Sequence, residues 1–235
     1  MRRSPALLLA LALAAIPLGC SAGATSTAGS PGVTTAPVTI APVTTQSHGY
    51  RATVTPIDDA LAAQLTGVSW RAGCPVALAD LRVVEVSYWD FDGAPQVGEL
   101  IVHRDVADEV TRGFGGLFRV GFPIRSMQRV DAFGGSDDES MAADNTSAFN
   151  CRTKTGSTTQ WSVHSYGRAI DINPVENPYV SGTTVLPPAG RAWLNRTDVR
   201  PGMIVPADAV IGSFPGWDWG GDWATPKDYQ HLERP

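Results

Sequence analysis

Of the four histidines, at positions 48, 103, 164 and 231, two stand in dense polar contexts. The first context is Ser162-Val163-His164-Ser165-Tyr166-Gly167-Arg168-Ala169-Ile170-Asp171-Ile172-Asn173. If 167–173 is extended, Ala169, Asp171 and Asn173 share one face, and Ile170 and Ile172 share the other. The isoleucine face would pack on a core. Asp171 would then point into a cleft, and a turn at Tyr166-Gly167 would return His164 to its side. One imidazole and one carboxylate so placed make half of a metal site. The second context is Lys227-Asp228-Tyr229-Gln230-His231. Asp228 and His231 are three apart, so on a helical turn they share a face. Two imidazoles, one carboxylate and an open position are the layout of a catalytic zinc. Asp228 would then stand within reach of the water such an ion activates, and would carry its proton to a leaving amine.

Spacing alone leaves simpler readings open. Asp228 and His231 can form an ion pair at a helix end, and Asp171 can be a turn or capping residue. His103 closes an expected strand and reads as structural, while His48 lies at the edge of a low-complexity segment. Two histidines and a carboxylate also make the facial triad of non-haem iron oxygenases. That triad usually places its carboxylate two residues after the first histidine, not seven.

The elements that must position these residues read as follows. Leu61 to Leu65 forms a short helix. Val84, Val86 and Tyr88 alternate with Glu85 and Ser87, the period of a half-buried strand. Glu99 to His103 is a second strand, joined to the first across Asp92-Gly93-Ala94-Pro95. Asp105 opens a helix with Val106, Val110, Phe114 and Leu117 or Phe118 on one face, ending near Val120 before Gly121-Phe122-Pro123. A strand is expected from Ile124 to about Val130, a loop at 134–145, a strand at Gly167–Asn173, and a last strand within Ile204–Ile211. Strands and helices do not alternate regularly. The fold class is therefore α+β, with a small central, mainly antiparallel sheet, flanking helices and the metal site in a cleft on the sheet.

Composition bounds the setting. The chain has 235 residues, 43% of them hydrophobic and 17% charged, with a formal net charge of −5. That suits a folded domain and lacks the basic footprint of a nucleic-acid binder. Residues 1–20 read as a signal peptide, with Arg2 and Arg3 ahead of the apolar run Leu7–Ile16. The run ends in Pro17-Leu18-Gly19-Cys20, which resembles a lipoprotein cleavage box with Cys20 as the lipidated residue, although Pro17 stands where Leu is usual. Residues 21–49 read as a flexible linker of Ser, Thr, Ala and Pro, and 50–235 as the folded domain. Export places Cys74 and Cys151 in an oxidising compartment. With Cys20 lipidated they are left as a pair, the alternative being two free buried thiols. The protein is expected outside the cytoplasm, as a cell-envelope lipoprotein or secreted, and as a monomer. Its membrane contact would be only through the N-terminal lipid.

Ser162-x-His164-x-x-Gly167-x-Ala169-x-Asp171-Ile172, followed by Asp228-x-x-His231, resembles the zinc D-alanyl-D-alanine carboxypeptidase family. This VanY-like group includes endolysin peptidases that cut L-Ala–D-Glu bonds. The resemblance runs from about Phe118 to Glu233. It includes the stretch Asn145–Arg152 and the tryptophan-rich stretch from Trp217 to Trp223. It implies one zinc per chain on His164, Asp171 and His231, with Asp228 as general base where many relatives carry Glu. It also implies an arginine that steadies the carbonyl oxygen or substrate carboxylate. Arg152 is the first choice, with Arg125 and Arg129 as competitors and a surface ion pair as the plain alternative. Ser162 and Trp219 are the tentative substrate contacts. Ser162 can instead be a turn hydroxyl, and Trp217, Trp219 and Trp223 can instead be core. The implied activity is hydrolysis of a peptide bond in peptidoglycan stem peptides, of the D-Ala-D-Ala carboxypeptidase type. An L-Ala-D-Glu endopeptidase with the same site is one alternative, and a catalytically inactive wall-binding module is another.

Overall fold

The computed structural model describes residues 49–235. The expected signal peptide with Cys20, the linker as far as residue 48, and His48 lie outside the described residues. The first elements are β1 (Ala52–Pro56) and α1 (Asp59–Leu65). Asp58 caps α1 by accepting the Leu61 N–H at 2.8 Å. β2 (Leu81–Trp89) and β3 (Pro95–His103) then form a hairpin, and β1 pairs with the other edge of β2. Asp90 makes the turn, its carboxylate accepting from the N–H groups of Asp92 and Ala94 at 3.0 and 2.8 Å. β2 is more than half-buried. Val84, Val86 and Tyr88 face the main core, and Val83 lies in a second cluster with Leu65, Ile101 and Phe149.

α2 (Ala107–Val120) lays Val110, Phe114 and Leu117 against the hairpin. It starts two residues after Asp105. Gly121 ends it at φ 70°, a left-handed position that suits glycine, and its N–H reaches the carbonyls of Leu117 and Phe118. Phe114 meets Phe214 edge-on at 5.8 Å between ring centres. Gly113 permits that approach, because a Cβ there would stand 2.3 Å from the Phe214 ring.

Four expected elements differ beyond this point. The strand from Ile124 shrinks to β4 (Ser126–Met127), and Val130–Phe133 turns into a 3-10 helix. The expected loop at 134–145 contains α3 (Asp137–Ala142), because the Ser136 hydroxyl accepts the Glu139 N–H at 3.2 Å and caps it. β5 (Asn145–Thr146) follows and pairs with β4 in parallel. β6 (Ala169–Asp171) is shorter than the expected 167–173, since Gly167 and Asn173 both have positive φ. β7 (Tyr179–Ser181) and β8 (Thr184–Leu186) form a second hairpin. Ile204–Ile211 is not a strand. Asp208 accepts from Val210 and Ile211 N–H and opens α4 (Ala209–Ser213) instead. The chain ends with β9 (Asp218–Trp219), β10 (Lys227–Asp228) and β11 (His231–Glu233).

The class is α+β, but no single central sheet exists among the described residues. Three three-stranded antiparallel sheets, in the orders β1-β2-β3, β10-β7-β8 and β6-β11-β9, occur beside the separate parallel β4–β5 pair. None of the described helices is long and apolar enough to cross a membrane.

Cys74 and Cys151 form a disulfide across a sequence separation of 77. A crosslink over that separation contributes about 2–4 kcal/mol, largely by restricting the unfolded chain. Replacing both cysteines by alanine is therefore expected to lower Tm by about 5–15 °C in calorimetry. An unchanged Tm would show that the crosslink does not hold this domain together.

Candidate metal centre and its cleft

Local backbone chemistry brings His164 to Asp171. Ser162 precedes a 3-10 turn at Val163–Tyr166, and its hydroxyl accepts the His164 N–H at 3.3 Å. Gly167 closes the turn at φ 68° and offers its carbonyl to the His103 N–H at 2.7 Å. A side chain at Gly167 would meet that same nitrogen at 2.6 Å, so glycine suits the site twice over. The His103 imidazole, at the end of β3, accepts the Asp105 N–H at 3.2 Å and is not among the residues lining the cleft. β6 then runs with Ile170 in the core, and Ile172 just beyond it is buried there as well.

β11 pairs antiparallel with β6, setting His231 opposite Asp171. His164 Nε2 lies 3.1 Å from Asp171 Oδ2, and His231 Nδ1 lies 3.0 Å from Asp171 Oδ1. The two ring nitrogens are 3.2 Å apart. The other nitrogen of each ring is engaged elsewhere. His164 Nδ1 donates to the Ala148 carbonyl at 2.6 Å, and His231 Nε2 lies 3.0 Å from Glu233 Oε2. Two nitrogens and one carboxylate oxygen therefore converge within 4.8 Å of one another, all on buried residues. Such a donor set fits a borderline divalent ion, toward which each imidazole would turn a lone pair while its other nitrogen donates to the outer partner.

The electrostatics match that chemistry. Burial pushes the Asp171 carboxyl up, but the two imidazoles outweigh it and hold the group well below the usual carboxylate range. Burial disfavours charge on His231, yet Asp171 and Glu233 push it up to about 10. The cluster is thus built around one buried positive charge, which a proton or a metal ion can supply.

Asp228 does not share a helical turn with His231. It lies in β10, paired with Tyr179 of β7, while His231 lies in the separate sheet of β11. Its Oδ1 is buried and has no hydrogen-bond partner among the described residues. Burial pushes its carboxyl up to about 6, against the pull of His231.

These groups line a cleft of about 340 Å³, together with Ser162, Met141, Arg152, Lys154 and Trp223. Arg152 enters it and is tethered to Asp137 Oδ2 at 2.9 Å. Its competitors are occupied elsewhere. Arg129 pairs with Glu99 and Asp131. Arg125 lies over the Phe91 ring, with Asp144 and Glu176 beside it. Trp219 is not a cleft residue. Its ring is 3% exposed in the core, and its N–H donates to the Tyr229 carbonyl, because β9 pairs with β11 and turns the ring inward. Trp217 is likewise buried, bonded to Glu109. Trp223 is the tryptophan on the cleft wall, 5.4 Å from the His231 ring. Ser162 lines the cleft, yet its hydroxyl caps the turn below His164. Asp137, Met141 and Glu233 were not anticipated. The capping pair Ser136-x-x-Glu139 points to α3, which carries the first two. The His231-x-Glu233 spacing on a strand points to the third.

The fold and site together define a small α+β domain with a buried His-Asp-His group that can hold a metal, in a cleft with an isolated carboxylate. Residues 155–234, about a third of the chain, match the D-alanyl-D-alanine carboxypeptidase family model. The match contains His164, Asp171, Asp228 and His231 and supports a peptidase at family level. It begins after Arg152, well inside the 118–233 span expected from sequence. No curated protein and no solved structure matches the chain.

The two tryptophan environments lead to opposite expectations. Trp219→Ala should cost about 3–5 kcal/mol of stability, as for a buried aromatic. Trp223→Ala, at the partly exposed cleft wall, should cost less than about 1.5 kcal/mol. Urea titrations of both variants test this, and equal losses would contradict the assignment.

Proposed function

We propose that this protein is a zinc-dependent peptidase that hydrolyses a peptide bond in peptidoglycan stem peptides, of the D-Ala-D-Ala carboxypeptidase type. The observation that carries the reading is the convergence of His164, Asp171 and His231 beside the unpartnered carboxylate of Asp228. A binding module has no need of such a carboxylate, which disfavours the inactive reading. The apolar signal-like start and uncharged linker of the sequence support a substrate outside the cytoplasm.

His164 Nε2, the Asp171 carboxylate and His231 Nδ1 would hold the ion. Its chemistry is that of a Lewis acid, polarising a carbonyl and lowering the pKa of a water. The chain's own residues do the rest. Asp228, with a free buried oxygen, accepts the proton of the attacking water and returns it to the leaving amine. Arg152, held by Asp137, presents a fixed cation to the carbonyl oxygen or to a substrate carboxylate. Arg152 and Lys154 in the cleft lining favour a peptide that ends in a free carboxylate, which supports the carboxypeptidase over the L-Ala-D-Glu endopeptidase. Trp223 and Met141 offer apolar surface to the peptide's methyl groups.

Defined muropeptides carrying a D-Ala-D-Ala terminus should lose one D-Ala, read by mass. Cleavage between L-Ala and D-Glu would support the endopeptidase, and intact peptides with zinc-loaded protein would sink both. Asp228→Ala should lower kcat by about 10²–10⁴-fold while zinc remains bound.

A further inference from the structure

We propose that Glu233 is a positioning residue for the metal site, fixing which nitrogen of His231 faces the ion; this rests on the zinc reading above. β11 is extended, so residues two apart project from the same side, and His231 and Glu233 stand side by side. Backbone pairing on both edges fixes that geometry, since Glu233 is registered to Ala169 of β6 and to Asp218 of β9. Glu233 Oε2 lies 3.0 Å from His231 Nε2. The opposite nitrogen, Nδ1, faces Asp171 and His164.

A neutral imidazole has one N–H. A carboxylate that accepts it at Nε2 leaves the Nδ1 lone pair aimed at the cluster and makes that nitrogen a better donor. His164 achieves the same end with the neutral Ala148 carbonyl. The two ligands are thus oriented by different partners, and only His231 has an anionic one. Glu233 also lies on the far side of the ring from the convergence point. It is therefore placed to orient His231, not to replace Asp228 in proton transfer.

The test is zinc affinity of the full chain, measured by competition with a chromophoric chelator. Glu233→Ala should weaken zinc binding about 10–100-fold, as for loss of an outer partner to a histidine ligand. Glu233→Gln, whose amide oxygen accepts the same N–H, should recover most of that loss. The metal-free variants should remain folded, with a thermal midpoint lowered only by the loss of the half-buried pair with His231, because β11 is held by its backbone. His231→Ala serves as the control and should abolish tight binding. If His231→Ala loses zinc while Glu233→Ala holds it unchanged, the role of Glu233 is overturned and the metal site stands. If Glu233→Gln is as weak as Glu233→Ala, the tautomer argument fails. If all three variants bind zinc like the parent, the metal site itself is overturned, and this proposal with it.

Discussion

Three residues of antiparallel pairing between β6 and β11 hold the His-Asp-His group together. They set His231 opposite Asp171, and the turn capped by Ser162 and closed by Gly167 then returns His164 to the same carboxylate. Side chains alternate across a strand, so a slip of one residue would turn His231 to the opposite face. The pairing is protected on both sides. Leu232 and Ile170 are buried in the core, β9 covers the other edge of β11, and Ser147 exchanges two backbone hydrogen bonds with Asp171.

Charge is distributed around this register with a clear division. Asp171 is buried but held ionised by two imidazoles, whereas Asp228 has a buried Oδ1 with no hydrogen-bond partner among the described residues, so its carboxyl is pushed the other way. Two carboxylates in one cleft thus differ by environment, one suited to holding a cation and the other to exchanging a proton. Arg152 brings a fixed positive charge to the same cleft. The segment that carries it is anchored by the Cys74–Cys151 disulfide one residue before it and by the Asp137 ion pair in the first turn of α3.

The sequence revealed these parts unevenly. The hairpin and α2 were legible because their apolar periods are long, and Gly121-Phe122-Pro123 marks where the helix stops. The turn between His164 and Asp171 was legible because Gly167 sits where the chain must reverse. The conformation around Asp228 was not. A spacing of three suits a helical turn, but it also suits two short strands, and the choice was made by β6 and β7, tens of residues earlier. Short strands of two or three residues carry too little pattern to announce themselves, which is why one central sheet was expected where several small ones occur. Trp219 and Trp223 are alike in type and local context, and only the pairing of β9 with β11 separates a core ring from a cleft ring. α3 was hidden by its acidic composition, although Ser136-x-x-Glu139 is a capping signature.

Anomalous diffraction at the zinc absorption edge, from crystals of zinc-loaded protein, tests the central claim most directly. The expected result is one strong peak per chain among His164 Nε2, the Asp171 carboxylate and His231 Nδ1. A peak located elsewhere, or none at this cluster with zinc in excess, would contradict it.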